Sequence, residues 1–395
     1  VFLCIIIFKK RKKSSKYIKL SESGYRNTIS EPLIGAEHRP NDKYRKQSVV
    51  KPLSGIQYNK KGYAEMGEDE SDSEDESFRT HDYYFDIDVN KLSLNSKVGA
   101  GASSSVYVGK YKGSTVSIKQ CPIVHLMDNP LDLLKNECRL LAQCSHPNIL
   151  RLIGFQASED YFFIVTEYAN MGSLASLIHP DDMLINAFSH NLRETNDEMD
   201  DDTRVNFSFE KKLYILSCVA SAMSVLEQHE IIHRDLKLAN ILLDGTPDHF
   251  RVLLCDFGAA MFLKRPYPES YFTPILPVER VGTVELCPPE VITKKGKGYS
   301  LKTDQYAFGI IMWELFTESQ LYPDLVAADI EHMVSAEERR PPLPKFNDES
   351  VPHSTIKEER FESYFNIVTK CWDQNPEHRP TFSTILEDLE ELRGA

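Results

Sequence analysis

Two short polar runs constrain this chain more than any other feature: His233-Arg234-Asp235-Leu236-Lys237-Leu238-Ala239-Asn240 and Asp256-Phe257-Gly258. They set a carboxylate, an ammonium, an amide and a second carboxylate on two neighbouring loops, which the fold has to bring together. Asp235 can take a proton from a hydroxyl, and Lys237 can neutralise charge on a transferring phosphate. Asn240 and Asp256 offer oxygen to a hard cation such as Mg²⁺. The set suits moving a phosphoryl group from a Mg²⁺-bound nucleotide to a hydroxyl.

The pattern around these runs changes character along the chain. Short β-type stretches fall at 92–98, 105–111, 115–120, 150–155 and 161–166, with Val, Ile and Tyr alternating with polar residues between glycine turns. Within the series Leu131, Leu134, Cys138 and Leu141 recur at helical spacing. Beyond Asn170 the pattern becomes mainly helical. Leu213, Leu216, Ala220, Met223 and Leu226 make one apolar face, and 306–316 is apolar nearly all round, as a buried helix would be. Residues 358–372 and 382–392 continue the helical series. The stretch 181–206, with Asp200-Asp201-Asp202 and little to bury, reads as an acidic inserted loop.

These motifs resemble the catalytic and metal-binding loops of eukaryotic protein kinases. The resemblance covers about 85–392 and implies an α+β, bilobal protein-kinase fold. It has a small β-rich N-lobe (85–168) with one regulatory helix, and a larger, mainly helical C-lobe (169–395). It further implies ATP and Mg²⁺ as cofactors. Val98-Gly99-Ala100-Gly101-Ala102-Ser103-Ser104-Ser105-Val106 then resembles the glycine-rich loop over the phosphates, where missing side chains let backbone N–H groups come close. Ser104 stands where the family usually has its third glycine. Val116-Ser117-Ile118-Lys119 resembles the strand whose lysine pairs with the α- and β-phosphates, held by Glu137, and Ser117 replaces the usual alanine. Thr166-Glu167-Tyr168-Ala169 resembles gatekeeper and hinge, with the backbone of Glu167 and Ala169 facing adenine, and Leu242 joins the nucleotide-binding set.

By the same resemblance, Asp235 is the base and His233 packs beneath Phe257. Arg234 is available to a phosphate on the activation loop, where Ser270, Tyr271 and Thr273 are candidates. Glu290, in Pro288-Pro289-Glu290 where Ala-Pro-Glu is usual, should pair with Arg379, and Asp304 should anchor the catalytic-loop backbone. Lys237 and Thr283 resemble serine/threonine kinases. Cys371-Trp372-Asp373, Trp313-Glu314-Leu315 and Gly172-Ser173-Leu174 resemble tyrosine kinases. That mixture marks the tyrosine-kinase-like group, whose members mostly phosphorylate serine and threonine. The alternatives are a dual-specificity or tyrosine kinase, and an ATP-binding pseudokinase scaffold. The scaffold would lack Lys119, Asp235, Asn240 or Asp256, and the chain has all four.

Composition bounds the rest. A net charge of −13 over 395 residues argues against nucleic acid as a partner. The eight cysteines show no metal-ligand spacing and read as reduced thiols. Residues 1–8 are apolar and end at Lys9-Lys10-Arg11-Lys12-Lys13. Spanning a bilayer takes about 20 apolar residues, so 1–8 reads as the end of a transmembrane helix with its cations on the cytoplasmic side; a short buried strand or a frayed terminus is the alternative. A first residue of Val rather than Met fits a fragment. Residues 9–84 then form a disordered juxtamembrane linker with basic and acidic tracts, and Ser71 and Ser73 sit among carboxylates. The expectation is a single-pass membrane protein with the kinase domain (85–395) cytoplasmic, acting on protein substrates in signalling, with self-association open.

Overall fold

The computed structural model describes residues 85–100, 104–123, 130–180, 205–263, 282–294, 298–346 and 356–394. The readings made for 1–84, Gly101, most of the acidic insert and the activation-loop candidates Ser270, Tyr271 and Thr273 lie outside those residues.

Among the described residues, five antiparallel strands build the first lobe: β1 (Leu92–Ala100), β2 (Ser105–Tyr111), β3 (Ser114–Pro122), β4 (Leu152–Ala157) and β5 (Tyr161–Glu167), in the order β1-β2-β3-β5-β4. Successive side chains on a strand face opposite ways, and both faces here are covered. Val116, Ile118, Phe163 and Val165 fill one side with Ile87 and Tyr111. Phe162 and Ile164 turn to the other and join the main core with Cys138 and Leu141. Those two residues lie on α1 (Pro130–Gln143), the helix expected from the apolar spacing. The interior strand β5 is therefore buried on both sides, which is why 162–165 is unbroken apolar sequence rather than an alternation.

The second lobe is built on α2 (Leu174–Ile178), α3 (Phe209–Gln228), α4 (Pro289–Thr293), α5 (Thr303–Thr317), α6 (Ala327–Ser335), α7 (Glu358–Cys371) and α8 (Phe382–Gly394). Ser208 caps α3 by accepting from the Lys211 N–H, satisfying an otherwise orphaned donor. Helix α5 is buried along almost its whole length. Phe316, near its end, stacks edge-on against Phe209 and Phe365 at 6.0 and 4.9 Å. Burying one such side chain stabilises by roughly 1.5–3 kcal/mol. Gly309 lets α5 approach α7, because a Cβ there would meet Cys371 at 2.8 Å.

The second lobe is mainly helical, as expected. Five short strands also lie among its described residues: β6 (Gly172–Ser173), β7 (Ile231–Ile232), β8 (Ile241–Gly245), β9 (Phe250–Leu254) and β10 (Met261–Phe262). Each has two to five residues, too few for an alternation to register in sequence. They form a sheet β6-β8-β9 and a pair β10-β7. The β8–β9 hairpin matters most, since Asn240 sits just before its first strand and Asp256 just after its second. The Cys255 N–H donates to the Asn240 carbonyl at 2.9 Å, so the two polar runs meet at its base.

Candidate active site

The catalytic run is pinned from beneath. Asp304, buried in the first turn of α5, accepts the backbone N–H of His233 at 2.7 Å and of Arg234 at 3.0 Å. Burial pushes the Asp304 carboxyl up, opposed by His233 and by those N–H bonds. The two bonds hold Arg234 at φ +65°, a left-handed conformation costly for a side chain with a Cβ. The His233 ring packs edge-on against Phe257, centroids 5.2 Å apart. Its Nε2 lies 3.1 Å from the Cys255 carbonyl, an acceptor, so that nitrogen carries the proton. This histidine supports the loop, as the resemblance implied.

Above that support Asp235 gathers partners from three places. Lys237 Nζ lies 2.7 Å from its Oδ2. Asn240 Nδ2 donates to its carbonyl at 2.7 Å and to Oδ2 at 3.1 Å. Thr283 Oγ1 donates to Oδ1 at 3.3 Å. Thr283 reaches it because Gly282 takes φ +91°, where a Cβ would stand 2.5 Å from the Arg234 carbonyl. Only glycine fits there without moving the catalytic loop.

The second cluster joins the lobes. Lys119 on β3 places Nζ 2.7 Å from Glu137 of α1 and 3.2 Å from Asp256. The pair has the geometry implied by Val-Ser-Ile-Lys and by Glu137. Lys119 lowers the Asp256 carboxyl to about 2, against burial, with Lys237 adding to the shift. Burial works against the Lys119 ammonium, but Asp256 and Glu137 outweigh it and hold its pKa well above the ordinary lysine value. Burial also raises the Glu137 carboxyl, with Lys119 opposing. Asp256 is thus an ionised carboxylate, with φ +60° and a half-exposed side chain. Asn240 spends its Nδ2 on Asp235, so what it can offer a cation is its amide oxygen. Two oxygen donors of this kind fit Mg²⁺, which takes few protein ligands and completes its shell with phosphate and water. Among the described residues no group of three or more His, Cys, Asp or Glu could hold a metal alone.

The other expected nucleotide residues line the gap between these clusters. Val106 on β2 is cross-strand to both Gly99 and Lys119. Val98, Gly99, Ser104 and Val106 are half-buried. Thr166 is buried and cross-strand to Ser117. Ala169 and Leu242 meet in a small apolar cluster with Leu150, Leu253 and Cys255, a floor on which a flat ring could rest. Burial, with Asp256 adding to it, pushes the Cys255 thiol far up, so it behaves as an apolar wall.

Arg234 would meet its expected phosphate on Ser270, Tyr271 or Thr273, which lie outside the described residues. Its Nε donates to the Ala259 carbonyl at 2.5 Å, and the guanidinium lies over the Tyr299 ring at 5.2 Å. Sequence reasoning missed Asp244 and Arg251, neither of which belongs to the motifs it used. Asn148 Nδ2 donates to the Val252 carbonyl at 3.0 Å and Leu254 N–H to the Asn148 carbonyl at 2.8 Å, tying the segment before β4 to β9.

A β-rich lobe and a helical lobe, with a lysine–glutamate pair above and an Asp-x-Lys-x-x-Asn loop below, define a protein kinase catalytic domain. The chain belongs to the protein tyrosine and serine/threonine kinase family, whose model matches residues 92–389. It is 31% identical over 313 residues to a Dictyostelium discoideum protein named "Probable serine/threonine-protein kinase", covering 78% of this chain and 29% of that one. Similarity to the RGS domain-containing serine/threonine-protein kinase A of Dictyostelium discoideum is 30%, covering 78% of this chain and 23% of the relative. Serine/threonine/tyrosine-protein kinase HT1 of Arabidopsis thaliana is 29% identical, with 77% of this chain and 67% of HT1 covered. The chain thus spans under a third of the two Dictyostelium relatives. Among the described residues no helix is long and apolar enough to cross a membrane.

Proposed function

We propose that this chain transfers the γ-phosphoryl group of Mg²⁺-ATP to serine and threonine hydroxyls of proteins. The observation that carries the reading is Lys119 lying between Glu137 and Asp256, at 2.7 and 3.2 Å, in the same molecule that seats Asp235 on Lys237, Asn240 and Thr283. Lys119 would hold the α- and β-phosphates, and Asn240 and Asp256 the metal. Asp235 would accept the hydroxyl proton while Lys237 offsets charge on the phosphoryl group. Val98, Gly99, Gly101, Ser104 and Val106 would cover the nucleotide. Thr166, Glu167 and Ala169 would line its edge and Leu242 its floor.

The test is phosphate transfer from Mg²⁺-ATP to a generic basic protein, with phosphoamino-acid analysis of the product. Phosphoserine and phosphothreonine should form with wild type and vanish with Asp256→Asn. Equal incorporation by the two proteins would sink the enzyme reading and leave a nucleotide-binding scaffold. Phosphotyrosine among the products would favour dual specificity, which the name of the Arabidopsis relative HT1 also carries.

The apolar residues 1–8 next to five cations further support attachment to a membrane, with the catalytic domain on the cytoplasmic side and signalling as its setting. Fractionation of cells expressing the full-length gene product checks this: recovery in the detergent-requiring fraction supports it and recovery in the high-speed supernatant refutes it. Cross-linking at the same stage reads out self-association.

A further inference from the structure

The segment expected to meet adenine, 167–170, is tied at both ends to one spot on the β8–β9 hairpin. At its start Glu167 Oε2 accepts from Arg251 Nη2 at 3.2 Å, while Oε1 accepts the Arg151 N–H at 2.9 Å. At its end the Asn170 N–H donates to Asp244 Oδ1 at 3.2 Å, and the Asn170 side chain exchanges two bonds with the Gly245 backbone, at 3.1 and 2.7 Å. Arg251 closes the ring: the same Nη2 donates to Asp244 Oδ2 at 2.6 Å, and the two residues are cross-strand partners. Asp244 and Arg251 thus hold both ends of a four-residue hinge.

The strap shares a strand with the expected adenine floor. Leu242 and Asp244 are two residues apart on β8 and so face the same side. Leu242 and Ala169 pack in one apolar cluster, and Asp244 grips the residue that follows Ala169. The bonds that Asp244 and Arg251 make therefore help to set the width of the slot between hinge backbone and floor, beside the Asn170–Gly245 bonds and the Met171 N–H donated to the Leu243 carbonyl at 3.1 Å. Neither residue belongs to the Lys119 or Asp235 clusters, where phosphoryl transfer would occur.

We propose that Arg251 and Asp244 are positioning residues that set the affinity for the nucleotide by fixing the hinge over Leu242, with no part in the transfer step. The proposal rests on the reading of this cleft as the ATP site. Two consequences follow from the geometry. Arg251 is half-exposed, and exposed pairs of this sort contribute modestly. Arg251→Met should then raise KM for ATP about two- to fivefold, with kcat at saturating ATP within about twofold of wild type. Both Arg251 bonds leave from a single nitrogen, so one ammonium can replace them, and Arg251→Lys should restore most of the affinity.

Steady-state kinetics with varied Mg²⁺-ATP, beside calorimetric titration of ADP, test this on the full chain. Wild type, Arg251→Met, Arg251→Lys and Asp244→Asn are compared, with Lys119→Met as control for the site. Weaker ADP binding and raised KM in Arg251→Met and Asp244→Asn, relieved in Arg251→Lys, support the strap. Unchanged KM in both variants, or a fall in kcat at unchanged KM, overturns it while leaving the ATP reading intact. A wild type that binds neither ADP nor ATP overturns both. If Arg251→Met does not fold, Asp244→Asn against Arg251→Lys carries the same comparison.

Discussion

Arg379 is fully buried and sets Nη1 and Nη2 on the two carboxylate oxygens of Glu290, at 2.7 and 2.9 Å. The two residues lie 89 positions apart, and the pair joins α4 to the turn before α8. Arg379 spends its other donors on the Asp373 and Lys302 carbonyls, at 2.9 and 2.8 Å, and lies over the Tyr306 ring. The two buried charges are paired with each other inside the protein, so the loss of one partner strands the other. Arg379→Met should cost about 3–5 kcal/mol in urea unfolding. Replacing both partners with apolar residues should cost less than either single change, because no buried charge is then left alone. A double variant as unstable as the sum of the singles would contradict this account.

The Lys119 network makes a contrasting prediction, on rate rather than stability. Its lysine is a quarter exposed and Asp256 nearly half, so water reaches both, and buried Glu137, whose carboxyl burial already raises, can take up a proton when Lys119 is lost. Lys119→Met should lower kcat/KM for ATP by about 100-fold or more, the scale for removing a charge that faces a developing charge. The melting temperature should move little. Loss of folding in place of loss of activity would show that the network is structural.

The motif residues were legible because their chemistry leaves few alternatives. Lys119, Glu137, Asp256 and the 233–240 run were placed by their resemblance to protein-kinase motifs, and the long strands and helices carried their own periodicities. Illegible were features without a period or a motif. The β8–β9 hairpin consists of five-residue strands, buried enough to erase their alternation, and Arg251 looks like any surface arginine until its cross-strand partner Asp244 is known. Arg234 shows a subtler limit. Its identity implied a phosphate partner, whose candidates lie outside the described residues, and gave no sign of the ring it stacks on, Tyr299, 65 residues away and in no quoted motif.

Thr283 and Lys237 approach Asp235 from opposite segments, and their distances rank them. Lys237, at 2.7 Å and charged, should matter more than Thr283, at 3.3 Å and neutral. We expect Lys237→Ala to lower kcat by about 100-fold and Thr283→Ala by about tenfold, with KM for ATP nearly unchanged in both. Thr283→Ser, which keeps the hydroxyl, should recover most of the second loss, whereas Thr283→Val should not. Equal activity of the Ser and Val variants would remove the hydrogen bond from the explanation.

His146 gives the fold a dependence on pH. Its Nδ1 accepts the Asn148 N–H at 3.1 Å, and its Nε2 lies 3.3 Å from Ser221 Oγ. Burial lowers the imidazole from its ordinary value of 6.5. Protonation would also remove the acceptor that shapes the turn leading to Asn148, which ties this segment to β9. In the unfolded chain the ring titrates near 6.5, so below that pH the unfolded state binds more protons than the folded one. The stability linked to His146 is therefore full above pH 6.5. It falls as the pH drops from there towards the lower folded value, then levels off. Urea midpoints at pH 7.5 and 5.5 should drop further for wild type than for His146→Gln, whose amide oxygen can still accept from Asn148 but does not titrate. Parallel drops in the two proteins would mean that other groups carry the acid sensitivity.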